Sequence, residues 1–228
     1  ARLGFTKVWQ MKHAVAQRVY DYVAGGGFLF AMCSATDTFD IALAAGDVDI
    51  VATPFDGDPP AHGAQQMLDY SRTVAFEGFR LETHPMVYEH SDVDTTPRDV
   101  RRIRSAEAEY FTLFEFSAKH DPVPTMLTQC HTNVVNGFLG QTTAFKKHLI
   151  KDAVVRLAEE EDTDAVKYIH GQVGRGTFTF YGGHDPEDHK HHVGDPATQL
   201  SLFPNSPGYR LILNNVLFPA AKKKPRKT

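Results

Sequence analysis

Gly25-Gly26-Gly27-Phe28-Leu29-Phe30-Ala31-Met32-Cys33-Ser34-Ala35-Thr36-Asp37-Thr38-Phe39 is the stretch on which the fold turns. Its continuous apolar run, Phe28 to Met32, follows a glycine break and reads as a buried parallel strand, because a strand covered on both faces shows no polar alternation. Upstream, Val8, Met11, Val15, Val19 and Tyr22/Val23 recur at three- and four-residue steps. That spacing predicts an amphipathic helix from about Lys7 to Ala24, terminated by the glycines. Downstream, a strand ending in Cys33 and passing at once into small residues and a helix cap predicts a nucleophile elbow, which lifts one side chain to the carboxyl edge of a sheet. A thiol there meets a helix N-terminus, which favours thiolate. The plainer alternative is a buried, unreactive cysteine with Thr36, Asp37 and Thr38 as simple caps.

Working outward, Val48 to Ala52 reads as a weaker strand and Pro54 to Pro60 as loop. Phe79 to Glu82, Pro85 to Glu89 and Tyr110 to Phe116 suggest further strands. Val154 to Ala158, Ala165 to Ile169 and Thr177 to Tyr181 are β-rich runs separated by the acidic turn Glu159 to Asp164 and the glycine turn Gly171 to Gly176. Ala144 to Ile150 suits a helix turn, and Tyr209 to Phe218 a closing helix stopped by Pro219. The fold class is α/β, a mostly parallel sheet with flanking helices. Such a sheet normally begins with a strand, so an opening helix leads us to expect that one or two βα units precede this chain in the full-length product.

The 228 residues carry 42% hydrophobic and 23% charged side chains, ordinary values for a packed domain, with neither a repeat nor a linker to divide them. One domain over residues 1–219 and a basic tail over 220–228 is expected. Lys222, Lys223, Lys224, Arg226 and Lys227 supply five of the 24 basic residues, leaving 19 against 28 acids in the body. That excess of negative charge argues against nucleic acid as a partner. Two cysteines, Cys33 and Cys130, make no disulfide framework. The longest apolar stretch, Val23 to Ala35, is broken by glycines and too short to span a bilayer. Without an initiator Met or a leader-like start, a signal peptide is absent or already removed, and localisation and oligomeric state stay open.

A second chemical signal is Gly174-Arg175-Gly176-Thr177-Phe178-Thr179-Phe180-Tyr181-Gly182-Gly183-His184-Asp185-Pro186-Glu187-Asp188. A β run delivering His184 into a glycine-rich loop with carboxylates just beyond supplies what a thiol needs, a base and a group to orient it. An ordinary surface histidine is the alternative. His184, His189, His191 and His192 with Asp185, Glu187 and Asp188 also invite a metal reading, but no pair has tight helical ligand spacing, so neither metal nor cofactor is expected. His131 and His84 are lone histidines.

Gly26-Gly27-Phe28 with Ser34-Ala35-Thr36-Asp37-Thr38-Phe39 resembles the GGG-F-x-G-I-H-x-A-T-D-T-F stretch of the trehalose-utilisation (ThuA-like) family. The Gly174 to Glu187 segment is similar to that family's G-x-G-R-V-F-Y-x-x-x-G-H-D motif, and His84-Pro85 and Glu107/Glu109-Tyr110 fall in the order of its HP and D-E-x-Y elements. The resemblance implies a class I glutamine-amidotransferase-like, flavodoxin-like fold lacking its early strands. The family's elbow histidine is replaced by Cys33, which moves the chain toward cysteine-nucleophile amidotransferases. The stretch from Asn205 to Ala221 resembles bacterial proteins labelled asparagine synthetase B, although no S-G-G-x-D nucleotide loop is present.

The expectation is therefore amide or acyl-transfer hydrolysis of a small-molecule substrate by Cys33, His184 and Glu187, with Ser34, Thr36, Asp37, His131 and Asp185 binding substrate. The alternative is a carbohydrate or small-molecule binding module in which Asp37, His131, His184 and Glu187 only hydrogen-bond polyols.

Overall fold

The computed structural model describes residues 4–100, 109–113, 132–184, 186 and 194–220. The periodic N-terminal segment is helix α1, Val8–Ala24, ended by Gly25, whose N–H donates to Asp21 O. Strand β1, Phe28–Met32, follows, and then helix α2, Ala35–Ala45. A single helical turn, α3, spans Thr53–Asp56. The remaining strands are β2 (Tyr110–Leu113), β3 (Val134–Asn136), β4 (Phe145–Lys146), β5 (Val155–Glu159), β6 (Ala165–Val173) and β7 (Gly176–Tyr181). Helix α4, Pro207–Leu217, closes the order, with the Ser206 hydroxyl accepting from Tyr209 N at its start.

The sheet runs β1-β7-β6-β5-β2-β3, with β4 also on β6. The α/β class holds, but the expected mostly parallel, flavodoxin-like arrangement does not: among the described residues only β1 and β7 pair in parallel, and every other pair is antiparallel. The connections decide this. Gly174 and Arg175 alone join β6 to β7, and a short acidic turn joins β5 to β6. Links of that length permit hairpins, whereas a parallel crossover needs a dozen residues or more.

What the apolar run of β1 does report is cover on both faces. Leu29 and Ala31 pack with Val23, Ile41, Ala44, Phe178 and Phe180 on the side of α1 and α2. Phe28, Phe30 and Met32 pack with Tyr168, Tyr181 and Leu211 on the side of α4. Burying each such side chain contributes about 1.5–3 kcal/mol.

Three further strand expectations are corrected. Val48 to Ala52 forms no strand, because Asp49 turns the chain on itself: its carboxylate accepts from Val51 N at 3.0 Å and its carbonyl from Ala61 N at 2.8 Å. Phe79 to Glu82 makes one isolated bridge, Leu81 to Ser91. Side chains take two of its N–H groups, Arg80 N going to Asp92 and Leu81 N to Gln65, each at 2.7 Å, so among the described residues its main-chain pairing is limited to Arg80 O with Asp92 N and Glu82 N with His90 O. Pro85 to Glu89 is a turn on His84, whose carbonyl and ring accept from Val87 N and Met86 N. The helix turn expected over Ala144 to Ile150 is confined to a 3-10 turn at Lys147–Leu149, with β4 at Phe145–Lys146 before it. Tyr110 to Phe116 is strand as far as Leu113, and its last residues lie outside the described ones.

Candidate active site

The parallel pair of β1 and β7 creates the site. Met32 sits opposite Tyr181, so β1 and β7 end side by side, and Cys33 N donates to Tyr181 O at 3.0 Å. Cys33 therefore leaves the sheet at the edge where Gly182, Gly183 and His184 leave it. Cys33 has φ +56, a left-handed conformation uncommon for a residue with a Cβ, and Ser34 returns to right-handed geometry before α2 begins. This is the strained strand-to-helix turn of an elbow, built without flanking glycines. Thr36 holds it: the hydroxyl, fully buried, donates to Cys33 O at 2.7 Å.

A third segment completes the surround. Gly183 N donates to Thr142 O at 2.7 Å and His184 N to Leu139 O at 3.0 Å, pinning the histidine loop to residues 139–142. Gln141 N donates to Cys33 Sγ at 3.1 Å. Gly140 has to be glycine, since a Cβ there would lie 2.7 Å from Sγ and 3.1 Å from His184 Cδ2. Gly183, at φ +73, likewise admits no side chain, because its Cβ would stand 1.9 Å from Phe138 O.

Burial pushes the Cys33 thiol up, but a hydrogen bond with His184 and the N–H groups of Thr142, Ser34 and Gln141 outweigh it and bring the pKa down to about 7. Half or so of this thiol is thus ionised near neutral pH, against a few per cent for an ordinary cysteine. Alkylation of the native protein by iodoacetamide should accordingly rise with a midpoint near pH 7 at Cys33, as followed by peptide mass. A midpoint above about 8.5, the value for an unperturbed thiol, would contradict the geometry.

Asp37 lies behind this wall. Its buried carboxylate accepts from Thr142 Oγ1 at 3.0 Å and from Ser91 Oγ at 2.9 Å. Burial raises its pKa, and the two hydroxyls oppose that rise. It is placed to brace the segment that supplies N–H groups to Cys33. Asp94, which accepts from Thr143 N at 3.0 Å and Ala144 N at 2.8 Å, braces the other end. No family model matches the chain, and neither a curated protein nor a solved structure matches it significantly.

Of the residues expected at the site, Cys33, Ser34 and His184 come together, whereas Thr36 and Asp37 lie buried beneath them. His131, Asp185 and Glu187, like Cys130, lie outside the described residues, as does the run from His189 to His192. Sequence reasoning passed over Gly137 to Thr143. Its one visible cue is a pair of glycines three apart that flank Phe138 and Leu139 and lead into the polar run Gln141 to Thr143. On the far side of Gly140 and Gln141 opens a cavity of about 670 Å³, lined among others by Arg80, Tyr88, Glu89, Thr143 and Lys146. Among the described residues no helix is long and apolar enough to cross a membrane.

Proposed function

We propose that this chain is a cysteine-dependent acyl-transfer hydrolase, acting on an amide or related acyl compound as glutamine-amidotransferase-like domains do. The observation that carries the reading is the convergence on Cys33 Sγ, at a left-handed elbow, of the His184 imidazole and three main-chain N–H groups. In the reaction the Cys33 thiolate attacks the substrate carbonyl. The N–H groups of Ser34, Gln141 and Thr142, which favour the thiolate before attack, are the donors available to the oxyanion as charge moves onto it. The tetrahedral adduct collapses as protonated His184 gives its proton to the departing amine, leaving a thioester on Cys33. His184, now neutral, takes a proton from water, which attacks the thioester. Carboxylate is released and the thiolate returns. The likeness to ThuA-like sequences enters here as support for the elbow and the histidine loop, not for a sugar substrate.

A second reading rests on the cavity beside Gln141, where Tyr88 is 71% exposed on a polar rim. A small-molecule or carbohydrate binding module would use that groove and leave Cys33 idle. Incubation with glutamine, γ-glutamyl compounds and short amides, acid quenching and intact-mass analysis separates the two. The hydrolase reading expects an acyl adduct that maps to Cys33. The absence of any adduct, together with a sugar that raises the melting temperature, would replace it by the binding module.

A further inference from the structure

Far from Cys33, the loop between α2 and the 3-10 turn at Ala64–Met67 brings together Asp49, Asp56 and Asp58. One carboxylate oxygen of each lies within 4.8 Å of the others. Acidic clusters are common on surfaces, and this one would be unremarked but for Asp56. Both of its carboxylate oxygens expose less than 1 Å² to solvent, and neither has a hydrogen-bond partner. A buried carboxylate left with nothing to satisfy it costs free energy that a native structure normally avoids, and an unseen ion is one of the standard explanations.

The surroundings supply part of the missing charge. Lys7, the residue before α1, donates to Asp58. Three carboxylates against this one ammonium leave two negative charges, the deficit that a single divalent cation cancels. The donors are all oxygen, which selects a hard ion over zinc or copper. Flexibility discriminates further: calcium accepts six to eight oxygens in irregular geometry, as a loop of carboxylates and water offers, whereas magnesium demands a near-ideal octahedron at about 2.0–2.1 Å.

We infer that Asp49, Asp56 and Asp58 bind a calcium ion, with water filling the positions that the protein leaves open. Asp56 is its central ligand, because it has no other partner. The ion ties α3, Thr53–Asp56, to the loop that follows α2, while Lys7 on Asp58 joins the cluster to the start of α1, so its effect is on the order of the loop rather than on chemistry at Cys33.

Calorimetric titration of the EDTA-stripped chain with calcium chloride, with a parallel magnesium arm, tests this. The expected result is one calcium site with Kd of about 10⁻⁴–10⁻³ M, the range of modules with few charged ligands. Magnesium should bind more weakly. Asp56→Asn should weaken calcium binding about tenfold or more while melting in EDTA no lower than the parent, since the buried charge it removes has no partner to lose. Asp58→Asn, whose side chain already has a partner in Lys7, should weaken binding as well. No calcium binding by the parent chain, binding unaltered in both variants, or tighter binding of magnesium would each overturn the assignment.

Discussion

Cys33→Ala is expected to lower the turnover of any substrate that acylates the protein by about 10⁴-fold or more, because its thiol is the nucleophile that the His184 imidazole activates. His184→Ala should cost about 10²–10⁴-fold, the usual contribution of a positioned acid–base group. The double variant should be hardly slower than Cys33→Ala alone, since a base without its nucleophile has nothing to activate. His184 is exposed, so its replacement should leave the melting temperature close to that of the parent. Steady-state kinetics on the three variants checks the pattern. Turnover by Cys33→Ala within tenfold of the parent would remove the thiol from the reaction.

The second large effect concerns stability. Lys167 on β6 and Glu109 are wholly buried and meet at 2.5 Å, and Lys167 Nζ also donates to Phe138 O at 3.0 Å. Phe138 has φ +64, so the lysine clamps a strained turn just ahead of the segment that lines Cys33. Lys167→Met should destabilise the fold by about 3–5 kcal/mol, the cost of stranding one charge of a buried pair. Adding Glu109→Gln should recover much of that loss. Urea denaturation gives the comparison. Where Lys167→Met still folds, the pH midpoint of Cys33 alkylation should move upward, because the N–H groups of Gln141 and Thr142 lose their fixed position. A loss below about 1 kcal/mol would show that the pair carries little of the stability.

Local pattern made much of this legible. The glycines after Ala24, the apolar run of β1 and the small residues after Cys33 each constrain their own few residues, and the elbow follows from their order. Strand direction is a different matter. A continuous apolar run reports cover on two faces, which β1 has from α1, α2 and α4, and says nothing of which way its neighbours run. The better guide was the brevity of the turns on either side of β6. Asp37 illustrates a second gap. An acidic residue at a helix start suits ligand binding and buried bracing equally well, and only its partners, Ser91 and Thr142, tell them apart. The segment from Gly137 to Thr143 left almost no trace in the sequence because it works through main-chain N–H groups and through the absence of a side chain at Gly140.

The bond from Gln141 to Cys33 spans 108 positions of chain, and His184 reaches the same sulfur from beyond it. Closing loops of that length is entropically costly and slow, while helices and hairpins form from neighbours in microseconds. Helix α1 and the β6–β7 hairpin can therefore exist before the thiol has acquired any of its special surroundings. In a refolding chain the acidity of Cys33 should be among the last native properties to appear, which makes this sulfur a clock for completed assembly rather than for collapse.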